Sequence, residues 1–496
     1  MADKTKFIEE LNAKYQPKGE YIVLGKGMLD GEVITEVDVN IPLKTINRHG
    51  LIAGATGTGK TKTLQVFVEQ LSHKGIPTLV MDIKGDLSGI AVEGEQNDKI
   101  NERYAKTKLP YQPQSFPVEL MTISAEKGLK LRATVTEFGP VLLSKILGLN
   151  DTQSSIMSIV FKYADDKGLP LIDLDDLKKT LQYVTDNDEG KKELASNYGA
   201  ISPASLGAIL RSIVAMEQQG ATSFFGEPSF DVEDLLQTRG GKGVVNVLRV
   251  ADIQNQPQLF STFMLSLFAE IYMTFPEEGD SGKPKLVLFI DEAHLIFNEA
   301  SKALLSQIET MVKLIRSKGV GIYFITQIPG DVPENVLAQL GLKIQHALRG
   351  FTAKDRKEID KAVENYPITE YYDAGNLIQN LGIGEAFVTA LDEKGIPTPL
   401  VQTYLISPES RMDVLSSDEI DDLVNASDLA EKYNKEIDKE SAYEILTKRM
   451  ETAAAAEQEV KQEKSTARQP KEEPGMFEQV LKSRAGRTFT NTLARE

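Results

Sequence analysis

The sequence predicts an α/β fold: a mostly parallel sheet, interrupted by an all-helical insertion and followed by a helical or disordered C-terminal tail. Three observations carry this. An apolar run, HGLIAG, passes through a Gly/Thr loop into an amphipathic helix and then into a second apolar run, TLVMD. That strand–helix–strand order belongs to a parallel sheet. A similar pattern resumes near 241, running from GVVNVLRV through KLVLFID to GIYFITQ, and between the two regions, over 132–238, the strand signal nearly disappears.

Residues 1–47 carry one amphipathic stretch and then the extended runs EYIVLG and GEVITEVDVNI, separated by glycines. In the helix over 60–74, Leu64, Phe67, Val68 and Leu71 fall at i, i+3, i+4 and i+7 and give it one buried face. Gly75 and Pro77 stop it. Within 132–240, GPVLLSKILGL, SSIMSIVFKYADDKG, LDDLKKTLQYV and SPASLGAILRSIVAMEQQG have helical spacing with Ser, Asp or Gly at their ends. This helical insertion divides a core into 48–131 and 241–407. In the second half, 258–275 reads as a buried helix. The next helix, 298–318, places Leu304, Leu305, Ile308, Met311, Val312 and Ile315 on one stripe. Residues 408–450 read as a helical, acidic extension, and 451–474 as a solvated helix or disordered linker of Ala, Glu, Gln, Lys and Pro. The last stretch regains apolar spacing and is basic, with Lys482, Arg484, Arg487 and Arg495.

Composition narrows the function. The 496 residues are 41% apolar and 26% charged, enough to bury a sizeable core. Fifty-six Lys+Arg against 73 Asp+Glu leave a net charge of −17, which argues against coating nucleic acid by bulk charge but not against a local basic channel. The lack of cysteine removes disulfides, thiolate metal sites and cysteine nucleophiles, and fits a reducing compartment. The histidines at 49, 73, 294 and 346 are scattered and form no metal motif. MADKTKFIEEL lacks the apolar region of a signal peptide, and 258–275 is interrupted by Ser261, Thr262, Ser266, Glu270 and Thr274, too often for a membrane span. A cytoplasmic protein without a membrane partner is the expectation.

The chemistry begins at Gly54-Ala55-Thr56-Gly57-Thr58-Gly59-Lys60-Thr61, which fits the phosphate-loop pattern G-x-x-x-x-G-K-[ST]. Gly54, Gly57 and Gly59 let the backbone curl so that successive N–H groups converge on phosphate oxygens. The helix from Lys60 aims its positive end at the same anion. Lys60 reaches the β/γ-phosphates, Thr61 offers a hydroxyl to Mg²⁺, and Lys62 completes the nucleotide-binding set. ATP and Mg²⁺ are the expected ligands.

The run KLVLFID ends in Asp291-Glu292, delivering two carboxylates to the sheet edge where open α/β sheets bind ligands. Asp291 is the expected Mg²⁺ ligand through water, and Glu292 the base that polarises the attacking water. Gln327, closing the next strand, is either a contact to the γ-phosphate or lytic water or a strand-end polar residue. Lys84 and Asp86, after the strand ending at Asp82, either line the site or form a charged loop.

These parts in this order resemble the HerA/FtsK group of P-loop ATPases, motors that form rings on DNA. GATGTGKTKTLQ, DIKGDLSG, FIDEAH, HALRGFT and GIGEAFVTALDEKGIPTP look more closely like the bacterial YjgR-type HerA-like proteins, over roughly 15–410. The resemblance implies a RecA-like P-loop NTPase sheet, ATP hydrolysis, and a homo-oligomer of up to six subunits with DNA as a partner. It also implies that Arg316 reaches a neighbour's nucleotide in trans and that Arg48 acts in cis, with Arg349 a substitute for either. Proteins of this group carry a β-barrel ahead of the motor, whereas 47 residues precede Arg48 here, so a nuclease partner is not implied. A DEAH-box helicase is excluded, because Lys60 and Asp291 stand more than two hundred positions apart with no second RecA-like domain. Two functions stay open: a DNA translocase or helicase, and an ATPase switch or assembly factor acting on protein partners without nucleic acid.

Overall fold

The structure, a computed structural model, describes residues 3–252, 256–279, 281–299, 302–350, 352–435, 437 and 439–466. The chain divides into two compact units, Met1–Ala442 and Tyr443–Glu496.

The first unit is built on a twelve-stranded sheet. Its strands are β1 (Tyr21–Leu29), β2 (Glu32–Pro42), β3 (Gly50–Ala53), β4 (Thr78–Asp82), β5 (Val118–Thr122), β6 (Leu129–Lys130), β9 (Val245–Arg249), β10 (Leu286–Ile290), β11 (Val320–Thr326), β12 (Leu342–Gln345), β13 (Glu385–Thr389) and β14 (Val401–Leu405), with β7 (Thr238–Arg239) and β8 (Lys242–Gly243) forming a separate small hairpin. The order is β2-β1-β14-β13-β12-β3-β11-β10-β4-β9-β5-β6. From β12 to β6 every pairing is parallel; from β2 to β12 every pairing is antiparallel.

Helices cover the parallel part, so its central strands are apolar along their length: every residue of β3, β4, β10 and β11 is buried. Helix α1 (Lys4–Tyr15), capped by Asp3, buries Phe7, Leu11 and Tyr15. Helix α2 (Lys60–His73) lays Phe67 against Phe289 of β10 and Tyr323 of β11, with ring centroids 5.6 and 5.0 Å apart. Gly50 makes that packing possible, since a Cβ there would lie 2.4 Å from the Tyr323 ring. Helix α3 (Asp98–Thr107) starts at an Asn97 cap.

Between β6 and β7 the chain is helical: α4 (Val135–Ile146), α5 (Asp151–Asp166), α6 (Leu174–Asp186), α7 (Asp188–Asn197) and α8 (Pro203–Gln218). Thr134, Asn150, Asp173 and Asn187 cap the first four, each accepting a backbone N–H of the first turn. The ends of this lobe meet, with Ala133 N donating to Phe224 O (3.0 Å) and Phe230 N to Arg132 O (2.7 Å). Helix α9 (Pro257–Thr274) follows and is the apolar helix expected near 258–275.

Two features differ from the sequence reading. The helix expected over 298–318 ends at Leu314, and Ile315–Lys318 forms a tighter 3₁₀ turn closed by Gly319 in a left-handed conformation. The antiparallel wing of β12, β13 and β14 was not anticipated; β1 and β2 extend it, so the N-terminal strands share the core sheet. The second unit is described to residue 466 and is helical there. The basic stretch with Lys482, Arg484, Arg487 and Arg495 lies outside the described residues. No helix among the described residues is long and apolar enough to cross a membrane.

Candidate active site

The loop between β3 and α2 is held by three neighbours at the C-terminal edge of the parallel strands. Gly54 N donates to Thr326 O (3.3 Å), Ala55 N to Ala347 O (2.8 Å), and Gly384 N to Thr58 O (3.2 Å). Gly57 and Gly59 have φ of 79° and 110°, the left-handed backbone that lets the loop turn. Thr56 and Gly57 are exposed at its tip, whereas Thr58 is buried with its hydroxyl donating to Ala55 O (2.7 Å). The first N–H groups of α2, at Thr61 and Lys62, lack an acceptor within the helix by geometry and carry its positive end. Lys60 is buried, and its ammonium donates to Gly54 O (2.5 Å) and Ala55 O (3.2 Å). Burial first, and then the charge of Lys84, holds its pKa below the usual lysine value. Thr61 is half-buried beside it. The Lys62 ammonium donates to Met412 O (2.5 Å), and its backbone N–H lies in the first turn of α2.

One residue that sequence reasoning passed over braces this loop. His346, next after β12, is buried, with Nδ1 3.1 Å from Thr58 O and Nε2 2.9 Å from the Thr63 hydroxyl. A carbonyl only accepts, so Nδ1 carries the proton and the bare Nε2 accepts from Thr63. Burial, and then the charge of Lys60, pushes its pKa down to about 4, keeping the ring neutral as this arrangement requires. Gly54 packs against it so closely that a Cβ there would lie 2.5 Å from the His346 Cβ.

Strand β10 reaches the same edge, one strand removed from β3, and ends in the two carboxylates. Asp291 is buried; Oδ1 accepts the Glu292 N–H (2.9 Å) and Oδ2 has no hydrogen-bond partner. Burial pushes its pKa up to about 7, against the opposing charge of Lys84. A buried oxygen without a donor fits a divalent cation held by one carboxylate, the Thr61 hydroxyl and substrate oxygens. No cluster of three or more His, Asp or Glu side chains that could hold a metal ion exists among the described residues.

Glu292 has φ 45°, an uncommon left-handed conformation for a non-glycine residue. Its Oε1 is paired with the Lys84 ammonium, and Oε2 lies 3.0 Å from His294 Nδ1 without hydrogen-bond alignment. Burial opposes its ionisation, but the hydrogen bond and charge of Lys84, joined by His294 and Lys60, outweigh burial and hold its pKa below the usual glutamate value. Lys84 sits in the turn after β4, where the Asp82 carboxylate accepts the N–H groups of Gly85 (2.7 Å), Asp86 (3.1 Å) and Leu87 (3.1 Å). Gln327 is exposed at the end of β11, between the loop and the carboxylates in strand order. Arg349, exposed after β12, donates to Gln379 O.

The two arginines lie elsewhere. Arg48 precedes the start of β3 and exposed Arg316 the start of β11, at the opposite edge of the parallel sheet. They line one pocket of 480 Å³ with Lys313, Lys343 and Glu364. The four residues of β3 span about 13 Å, so Arg48 is not brought to its own phosphate loop, and the expectation of a cis role is corrected. The cis role was implied by the resemblance, and β3 carries the chain away from Arg48.

Comparison with known proteins gives the same architecture. Residues 29–495 match the family described as Helicase HerA-like C-terminal. The chain is 22% identical over 385 residues to the DNA double-strand break repair helicase HerA of Saccharolobus solfataricus, covering 77% of this chain and 68% of that protein. Among solved structures, the plasmid coupling protein TrwB in complex with a non-hydrolysable ATP analogue, ADPNP, aligns with a TM-score of 0.53 at 14% identity, over 84% of this chain and 96% of that one. TrwB in complex with ADP and Mg²⁺ aligns with a TM-score of 0.51 at 14% identity, over 80% and 98%. At such identity these structures speak to the fold, which is that of a RecA-like P-loop ATPase. With the loop and paired carboxylates at one sheet edge, and a family match spanning nearly the whole sequence, the chain belongs to the HerA-like helicase C-terminal family.

Proposed function

We propose that the protein is an Mg²⁺-dependent ATPase whose turnover drives movement on DNA, as a translocase or helicase, in a ring of identical subunits. The observation that carries the ATPase reading is the buried, unpartnered oxygen of Asp291 beside a strained, ionised Glu292, at the edge where the phosphate loop opens. Asp291 and the Thr61 hydroxyl would hold Mg²⁺, which supplies charge compensation for phosphate oxygens. The N–H groups of 54–62 and the Lys60 ammonium would bind the β/γ-phosphates, Lys60 exchanging its loop carbonyls for phosphate oxygens. Glu292 would take the proton of the attacking water, and Gln327 would orient that water. Arg316 would complete a neighbouring subunit's site, and Arg48, on the same edge and in the same pocket, would act there too.

The DNA part of the reading is supported by membership of the family and by likeness to a protein named as a DNA repair helicase. The net charge of −17 favours the second reading, an ATPase switch acting on protein partners. ATP turnover measured with and without single- and double-stranded DNA, alongside the native mass, tests both. Stimulation by DNA in an oligomer supports the motor; a DNA-independent rate supports the switch; no hydrolysis rejects the ATPase reading.

A further inference from the structure

Lys84 has no part in the mechanism above, yet it is the cation paired with the proposed base. We propose that Lys84 senses the terminal phosphate of ATP and restrains Glu292, its ammonium passing between the Glu292 carboxylate and the γ-phosphate so that the base is released when ATP is bound. This rests on the ATPase reading.

Three observations lead there. First, the pair restrains the base: Lys84 holds Oε1, while Oε2 lies 3.0 Å from His294 Nδ1 without a hydrogen bond. A carboxylate bound to an ammonium is a poorer acceptor for a water proton. Second, the backbone beneath Lys84 is fixed while its side chain is not. Asp82 accepts three consecutive N–H groups of the turn, whereas the Lys84 side chain keeps 34% of its surface exposed. Its four-carbon stem can therefore swing without moving the turn. Third, Lys84 already feels the phosphate loop, because its charge and that of Lys60 repel. A γ-phosphate between the two ammoniums would relieve that repulsion and offer Lys84 an anion in place of the carboxylate. ADP has no such group, so the exchange discriminates between the nucleotides.

The test is equilibrium binding of ADP and of a non-hydrolysable ATP analogue to the full chain in Mg²⁺ buffer. Lys84→Met should keep ADP affinity within about twofold and lose about tenfold or more of the preference for the ATP analogue, the size of one charge-assisted hydrogen bond. Lys84→Arg should restore part of it. Glu292→Gln frees Lys84 from its carboxylate and should raise the preference, and Lys84→Met in that background should erase the gain. An unchanged preference in Lys84→Met, or no gain in Glu292→Gln, overturns the proposal and leaves Lys84 as a prop for Glu292. Loss of ADP binding in Lys84→Met also overturns it, since the lysine would then support the loop itself. If wild-type protein binds neither nucleotide, the ATPase reading fails first, an outcome the variants cannot mimic.

Discussion

Replacing His346 by Asn separates its role in bracing the phosphate loop from its bulk. The Asn amide can stand in for Nδ1 and keep the bond to Thr58 O, while the contact to the Thr63 hydroxyl and the packing of the ring are lost. One buried hydrogen bond and a partly emptied ring site together cost about 2–4 kcal/mol near pH 8. The pH dependence is more diagnostic. The folded-state pKa of His346, about 4, is below its ordinary value of 6.5, so its contribution to stability is complete above pH 6.5 and is lost as the pH falls toward 4. Between pH 8 and pH 5 that linkage removes about 2 kcal/mol from wild type and nothing from a protein with Asn at this position. His49, also buried with its pKa pushed down to about 4, titrates in both proteins and cancels. Urea unfolding of wild type and His346→Asn at pH 8 and pH 5 is the assay, and the stability deficit of the variant should shrink by about 2 kcal/mol at the lower pH. A deficit identical at both values would refute the neutral, buried imidazole and with it the proton placement on Nδ1.

Further outcomes follow from the same geometry. Glu292→Gln should retain nucleotide binding and lower turnover by roughly 10²–10⁴; near-normal steady-state turnover removes Glu292 as the base. Gly54→Ala drives a methyl group to 2.5 Å from the His346 Cβ, so it should weaken ADP binding and lower stability by about 1–3 kcal/mol, which calorimetry would detect. Lys60→Ala and Arg316→Ala should each be nearly inactive alone, since a finger arginine is worth about 10³–10⁵ in rate. Mixed oligomers of the two should regain activity at interfaces where an intact loop meets an intact arginine, and no recovery in demonstrably mixed assemblies rejects the trans role. Arg48→Ala, placed in the same mixing assay, should behave like Arg316→Ala and not like Lys60→Ala.

The loop and the carboxylates were legible because each is local: eight adjacent residues set the backbone of one turn, and an apolar run ending in Asp-Glu needs only its own strand. What escaped the sequence depended on strand direction and on distant chain. Arg48 stands close to Lys60 along the chain, but β3 separates them by its whole length, a fact visible only once the edges of the sheet are known. His346 acts on Thr58 and Thr63, which lie far earlier in the sequence. The direction of the Lys62 ammonium is set by Met412 O, far along the chain. Lys84 could be read only as a loop lysine or a site lysine; its pairing with Glu292 required the parallel register of β4 beside β10. The antiparallel wing was missed because β12 and β14 find their outer partners in β3 and β1, hundreds of residues earlier in the chain.

The closed neck of the helical lobe has a consequence for how such a fold can diversify. Strands β5 and β9, which precede and follow the lobe in the chain, pair directly with each other, and the entering and leaving segments are stitched together at Ala133 and Phe224 and at Arg132 and Phe230. Everything between is a cassette with adjacent ends. Lengthening or exchanging it leaves the register of the sheet untouched and changes the entropy of closing the chain only slowly with length. New surfaces for a partner can therefore be installed there while the phosphate loop and carboxylates stay fixed, with readjustment where α4 packs on α9 and on the helix Lys302–Leu314 and where Ala442 N donates to Pro170 O.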